Sequence, residues 1–501
     1  MIHLLLLQWH WYGSPAWNLA REVVVGYNAI VFFYVIFVDL TYIAFTFIAL
    51  VEVRRYLRTR DKERLEQIFR SRLVPPISIL CPAYNEGTTI VESVRSLLRL
   101  KYSQHEVVVV NDGSKDNTLA SLIEAFRMEK LEFEYETAVP SKPVRALYAS
   151  PGYPKLIVVD KENGGKADAL NAGINASRYP LFCTVDADAI LEEDALLHVV
   201  RPMLDRPTFV PVTGGIIRAA NGCRIVQGRV ESVGLPRRPI ELFQIVEYMR
   251  AFLCGRTAQS ALNVMLIVSG AFGLFHKATA KTVGGYSNDT VGEDKELVVK
   301  IVRYLKENKR DYEILFVPQT VCWTEVPASW QTLGRQRNRW HRGMFEVLYK
   351  HRAMFFNRAY GRAGMLGMPY FLFIEALGPI VELSGYILLP LAAFMGLLAP
   401  MNAIVYTMCA VVLGIIISVS SVLLEEASFH RYPHWRELAL LNLVAVVENF
   451  GYRQLTLWWR LTGTWDYLRG NKQWGAQVRQ GFGTPAASPA AAAAEPAAKT
   501  G

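Results

Sequence analysis

Leu181–Leu191, LFCTVDADAIL, is an apolar run with β-branched residues that delivers two carboxylates, Asp186 and Asp188, at its end. The run predicts a buried strand, and a strand emptying into a loop sets both acids at the C-terminal edge of a sheet, where open α/β folds keep their ligands. Paired carboxylates there suit a hard divalent cation, Mg2+ or Mn2+, which takes one or two protein carboxylates and completes its shell with phosphate oxygens and water. A lone D-x-D also fits a helix N-cap or a solvated turn. The rest of the chain must decide between them.

Working outward from that strand, the flanking segments repeat one pattern. Upstream, VPPISILCPAYNEGTTI leads from a prolyl boundary into a β-branched run ending at Tyr84, Asn85 and Glu86, and the TTIVESVRSLLRL that follows is spaced as a helix. HEVVVVNDGSKDNTLASLIEAF repeats the unit, with a strand, a loop at Asp112-Gly113-Ser114, and a helix capped by Asp116 or Asn117. Val139 to Tyr153 reads as a loop, and KLIVVD as a third strand. KENGGKADALNAGINAS then takes a glycine pair and Lys166 into a helix. Alternation of this kind predicts a mostly parallel sheet with right-handed crossovers and the named loops along one edge.

Downstream, VPVTGGIIR reads as a strand and FQIVEYMRAFLCGR as an amphipathic helix. Its Gln244, Glu247 and Tyr248 suit either a channel lining or packing. TVGEDKELVVKIVRYL places Glu293 and Asp294 in the first turn of a helix, where acids also serve as dipole partners. WQTLGRQRNRWHRG is a basic, Trp-bearing helix in which His341 reads as a residue beside a headgroup surface.

The 501 residues are 51% apolar, with the apolar content concentrated at the two ends, and that asymmetry points to a membrane. Val23 to Val51 is long enough to span a bilayer, with Asp39 near its middle pairing against a neighbouring helix or serving function. Arg54, Arg55, Arg58, Arg60, Lys62 and Arg64 follow it, so the positive-inside rule makes the next segment cytoplasmic. Leu366–Leu398 divides into an interfacial part and a span from near Ile380. Met401–Leu424 is a clean span. Leu438–Leu461 carries Glu448, Asn449 and Arg453, and the interfacial or re-entrant alternative is preferred to a span. The formal net charge of +9 is not a stripe interleaved with aromatics, so nucleic acid is excluded in favour of anionic lipid or a phosphate-bearing substrate. Six singly scattered cysteines give neither a zinc site nor a disulfide framework.

Taken together, the motifs AYNE, NDGS, GGK, VDAD, VGED and QRNRW, in this order, resemble the membrane-embedded processive glycosyltransferases of family 2, the synthases of cellulose, chitin, hyaluronan and poly-N-acetylglucosamine. The resemblance covers roughly Pro75 to Gly343, and Gln336–Trp340 matches the Q-x-x-R-W signature. It implies an α/β fold of the GT-A type, a Rossmann-like nucleotide-sugar-binding cytoplasmic domain inserted between N-terminal and C-terminal transmembrane and interfacial helices. It implies inverting transfer from a UDP-sugar donor to a growing glycan acceptor, with Mg2+ or Mn2+ as cofactor. By the same resemblance Tyr84, Glu86 and Asp112 would hold the uridine with Lys166 nearby, Asp186 would touch the donor's ribose or sugar, and Asp188 would ligate the metal. Asp294 would be the general base, Gln336 and Arg339 would meet the diphosphate, and Trp340 would stack on the acceptor's terminal sugar. Family members commonly carry threonine where Gly292 stands, which leaves the local loop geometry open.

The expected organisation is an interfacial segment at 1–22, a transmembrane helix at 23–53, a basic linker at 54–74, the GT-A domain with its interfacial QxxRW helix at 75–350, C-terminal interfacial and transmembrane helices at 351–480, and a disordered Ala/Pro tail at 481–501. The expected setting is a multi-pass protein of the inner (plasma) membrane. Its partners are a UDP-sugar, the glycan and the bilayer, with room for an accessory export or regulatory subunit. Two alternatives stand beside polymerisation: a non-processive enzyme adding one sugar to a lipid, and a catalytically silent membrane glycan-binding subunit.

Overall fold

The computed structural model describes residues 15–59, 74–132 and 137–471. Much of the expected N-terminal segment and basic linker, and all of the expected Ala/Pro tail, lie outside these residues. From Pro15 the chain is already helical, and helix α1 (Pro15–Arg58) contains the whole of the apolar run.

The soluble domain is built on a ten-stranded sheet. In chain order its first elements are β1 (Ile77–Ala83), α2 (Ile90–Leu98), β2 (His105–Asp112), α3 (Thr118–Phe126), β3 (Glu129–Leu131), β4 (Val144–Ser150), β5 (Tyr153–Lys161), α4 (Lys166–Ala176), β6 (Leu181–Val185), β7 (Ala189–Leu191) and α5 (Ala195–Asp205). There follow β8 (Val212–Ala219), a small hairpin of β9 (Arg224–Val226) and β10 (Arg229–Ser232), α6 (Pro239–Tyr248), β11 (Phe272–His276), α7 (Glu293–Glu307) and β12 (Ile314–Thr324). The strand order is β3-β4-β5-β2-β1-β6-β11-β8-β12-β7.

Strands β5, β2, β1 and β6 are parallel, as the alternation predicts, and form the Rossmann-like core. The consecutive valines of β2 divide between the two faces: Val107 and Val109 join one apolar cluster, Val108 and Val110 the other. This is the period-two alternation of a strand covered on both sides. The sheet as a whole is mixed, which corrects the mostly parallel expectation. β4 runs antiparallel to β5, β11 antiparallel to β6 and β8, and β7 antiparallel to β12. The segment from Val139 to Tyr153, read as a loop, supplies β4. Pro140 and Pro143 lie before the strand and Pro151 in the tight turn after it, across which the strand pairs back on β5.

Beyond the sheet, α8 (Trp330–Lys350) carries QRNRW, and the chain continues into α9 (Gly378–Phe394), α10 (Pro400–Phe429), α11 (Trp435–Val447) and α12 (Tyr452–Leu468). Among the described residues three helical stretches are long and apolar enough to cross a membrane: Trp17–Arg58, Ala363–Phe394 and Pro400–Phe429. The stretch of uncertain type, Leu438–Leu461, forms two shorter helices broken at 448–451, where Gly451 has φ +100°.

α1 packs against α9 and α10. Phe32 stacks on Tyr406 at 4.2 Å between ring centroids, and Tyr27 donates to Ser384 Oγ at 2.7 Å. Two ion pairs tie the sheet domain to these helices: Arg218 of β8 meets Glu425 of α10 at 2.6 Å in a buried pair, and the partly exposed Arg250 meets the buried Glu448. Arg250 lies in a π-helical turn, Met249–Arg256, that continues α6.

Candidate active site

The register of the parallel strands brings their C-terminal ends level. Ala83 pairs with Asn111, and Asn111 with Asp160, so the loops after β1, β2, β5 and β6 share one edge. Asp112, at the end of β2, is buried. Its Oδ1 accepts from Lys161 Nζ at 2.7 Å and from the Gly164 amide at 2.9 Å, and its Oδ2 accepts from the Gly165 amide at 2.8 Å. Lys161, fully buried, also meets Asp168 at 2.6 Å. A buried lysine requires such carboxylates, and the result is a braced loop that fixes Lys166 at the start of α4. Lys161 was not singled out by the sequence reading, although it immediately precedes the ENGGK loop.

Lys166 Nζ donates to Asp186 Oδ1. Burial alone would lower the Lys166 pKa; Asp186 and then Glu293 outweigh it and hold the ammonium above its ordinary value. Asp294, at the entrance of α7, accepts from the Gly270 amide at 3.1 Å through Oδ2. A Cβ at Gly270 would lie 3.3 Å from both Asp294 Oδ2 and Lys166 Nζ, close enough that both side chains would have to give by a few tenths of an ångström. The neighbouring Glu293 is buried, and burial followed by the Asp294 charge raises its pKa to about 7.

Lys166, Asp186, Asp188, Asp294, Gln336, Arg339 and Trp340 therefore line one cavity of ≈ 780 Å³. Tyr84, Glu86 and Asp112 do not line it. Tyr84 is exposed after β1, Glu86 donates its amide to Thr118 Oγ1 at 2.9 Å, and Asp112 spends its carboxylate on the GGK loop. These three stand along the same sheet edge, outside the cavity.

The cavity continues between the apolar helices, where Asp39, Tyr386 and Tyr406 line it. Asp39 is buried, and its Oδ2 makes no hydrogen bond among the described residues. Glu247 and Tyr248 also face the cavity, whereas Gln244 is a packing residue, buried and bonded to the carbonyls of Ile240 and Pro327 at 3.0 and 2.8 Å. His341 departs from its expected headgroup position. It is buried against the cavity with Arg460 Nε 3.5 Å from its Nδ1, and burial, then Arg460, pushes its pKa down to about 2. The turn of α8 that exposes Trp340 turns His341 inward.

Among the described residues no group of three or more His, Cys, Asp or Glu side chains could by itself hold a metal. The donors present are the carboxylates of Asp186 and Asp188, two residues apart on one cavity wall. Oxygen donors so few in number fit a hard divalent ion that draws its remaining ligands from phosphate and water.

A mixed sheet with a Rossmann-like core, two carboxylates after its central strand and a third acid at a helix entrance define a GT-A-like glycosyltransferase domain. The model for "Glycosyl transferase family 2" matches residues 78–138, and that for "Glycosyl transferase family group 2" matches residues 181–419. The chain belongs to glycosyltransferase family 2. It is 31% identical over 278 residues to poly-beta-1,6-N-acetyl-D-glucosamine synthase of Staphylococcus epidermidis, covering 55% of this chain and 56% of that protein. The synthase of the same name from Staphylococcus aureus (strain COL) is 31% identical over 275 residues, with the same coverage. The chain thus spans slightly more than half the length of the curated relatives it matches. Among solved structures, the mannosyltransferase PcManGT from Pyrobaculum calidifontis, in complex with GDP-Man and Mn2+, is 19% identical. That match covers 84% of this chain and 99% of that one with a TM-score of 0.48, too distant to inform the chemistry.

Proposed function

We propose that the chain is an inverting glycosyltransferase that polymerises a β-linked polysaccharide from a UDP-sugar on the cytoplasmic side of the inner membrane and passes the product outward. The observation that carries this reading is the single cavity that holds Asp186, Asp188, Asp294, Arg339 and Trp340 and runs on between α1, α9 and α10. The lining is largely apolar, but Asp39, Glu382 and Arg453 stand along the part among the helices, and such charged groups suit a hydroxyl-rich glycan better than a lipid tail.

The donor lies along the sheet edge, its uridine toward Tyr84, Glu86 and Asp112 and its ribose or sugar toward Asp186. Gln336 and Arg339 meet the diphosphate, arginine suiting phosphate by its charge and planar fork. The acceptor sugar stacks on Trp340. Its hydroxyl oxygen forms the new bond to the anomeric carbon, on the face opposite the departing diphosphate, while Asp294 takes the hydroxyl proton and the bond from the anomeric carbon to the diphosphate oxygen breaks. One displacement inverts the anomeric centre without a covalent intermediate. Asp188 would hold Mg2+ or Mn2+, which would supply charge neutralisation for the leaving diphosphate.

The relatives' names make N-acetylglucosamine the sugar to try first. Purified protein in proteoliposomes, given radiolabelled UDP-N-acetylglucosamine and Mn2+, is expected to produce labelled polymer, and excess chelator is expected to abolish it. Label found only in a lipid-soluble monosaccharide conjugate would refute polymerisation.

A further inference from the structure

Arg337, the second residue of QRNRW, has no place in the roles assigned so far, yet it is the most buried of the five at 4% relative exposure, against 45% for Trp340. The two are three residues apart on α8 and so share a face. The guanidinium carbon of Arg337 lies 4.4 Å from the centroid of the Trp340 ring, within the range of a cation–π contact. One face of that ring is therefore covered.

The guanidinium is held from two further sides. Arg337 Nη2 donates to Glu247 Oε2 at 2.8 Å, and Nη1 donates to Gln336 Oε1 at 2.9 Å. Glu247 Oε2 also accepts from the hydroxyl of Tyr452, the first residue of α12, at 2.7 Å. Burial would raise the pKa of Glu247, but Arg337 and Tyr452 hold it below the ordinary value, so the brace is ionised at neutral pH. The Nε of Arg337 is buried with no hydrogen-bond partner among the described residues. A planar guanidinium lies against a ring while its fork donates to two acceptors in fixed directions; a lysine ammonium meets a ring only as a point charge.

We propose that Arg337 is a positioning residue that occupies one face of Trp340 and leaves the other as the single stacking surface for the acceptor's terminal sugar. Gln336 Oε1 serves in this as one of the two acceptors that fix the guanidinium against the ring. The proposal rests on Trp340 being the acceptor platform.

The test measures initial rates with UDP-N-acetylglucosamine and a β-1,6-linked N-acetylglucosamine tetramer as acceptor, for Arg337→Met, Arg337→Lys, Glu247→Gln, Trp340→Ala and the double variant Arg337→Met/Trp340→Ala. Loss of the cation–π contact predicts an acceptor KM raised about tenfold in Arg337→Met, with a smaller rise in Arg337→Lys, which keeps a cation but not the planar fork, and donor KM changed less than twofold in both. Because Arg337 acts through Trp340, the double variant is expected to be no worse than Trp340→Ala alone. Should Arg337→Met fail to fold, Arg337→Lys and Glu247→Gln read the same split. An unchanged acceptor KM in the Arg337 variants beside a raised one in Trp340→Ala would overturn the positioning role and leave the platform standing. Additive losses in the double variant, or parallel falls in kcat with both KM values shifted, would also overturn it. An unchanged acceptor KM in Trp340→Ala would remove the platform itself, and the proposal with it.

Discussion

Gly292 and Gly343 meet backbone to backbone: a Cβ on Gly343 would fall 2.8 Å from the Gly292 amide nitrogen, and one on Gly292 would fall 3.1 Å from the Gly343 carbonyl. This contact joins the N-terminus of α7, which carries Asp294, to the helix that carries Arg339 and Trp340. Gly292 has φ −115°, so close approach, not a left-handed backbone, demands the glycine there. A threonine at this position would require α8 to give way at Gly343 by a few tenths of an ångström.

Gly343→Ala is therefore expected to be the more damaging of the two alanine variants. Overpacking of a rigid backbone contact costs about 1–3 kcal/mol, and displacement of α8 moves Trp340 away from Asp294. Thermal unfolding in detergent and the initial rate together check this, the expected order being wild type, Gly292→Ala, Gly343→Ala.

Asp294→Asn should keep donor affinity and lose transfer by about 10²-fold or more, since general-base catalysis contributes on that order. UDP-sugar binding by calorimetry, set against UDP release, separates the two. Full transfer in this variant would remove the base assignment.

Lys295, next to that base, is buried with its ammonium nitrogen 3.5 Å from the centre of the Phe371 ring. Burial, then Arg256, lowers its pKa to about 7 from 10.5. A lysine whose folded pKa is depressed binds fewer protons folded than unfolded, so it destabilises the fold fully below about pH 7 and ceases to do so toward pH 10.5. Lys295→Met is accordingly expected to be more stable than wild type by roughly 1–4 kcal/mol at pH 7, the gain shrinking as pH rises. Unfolding midpoints at pH 6.5 and 9.5 read it.

Glu448 is fully buried between Arg250 Nη1 and Ser418 Oγ, linking the π-helical turn, α10 and the α11–α12 break. Removing its charge leaves the partly buried Arg250 and the neighbouring Arg453 without their carboxylate, and Glu448→Gln should cost up to about 3 kcal/mol. Yield and thermal midpoint of the purified variant measure that loss.

The parallel core and the acids were legible because both announce themselves locally: valine runs alternate faces within one strand, and Asp186, Asp188, Asp294 and Arg339 sit in compact motifs. β4 and β11 were hidden for opposite reasons. β4 follows a proline-rich stretch that reads as loop, and β11, at Phe272–His276, is set among glycines, one of which, Gly273, has a Val268 methyl 2.7 Å from where its Cβ would be. Arg337, Glu247 and Tyr452 come from three helices distant in sequence, so no spacing rule joins them. His341 follows Trp340 directly, and only the packing of α8 reveals that the two point to opposite environments.

The most direct measurement of the central claim is UDP release from detergent-purified protein with Mn2+ or Mg2+, over UDP-N-acetylglucosamine, UDP-glucose, UDP-glucuronate and UDP-galactose, with the product sized. Polymerisation predicts release with one donor, N-acetylglucosamine first, and a high-molecular-weight product. Release accompanied only by a short or lipid-linked product, or no release with any donor, would contradict it.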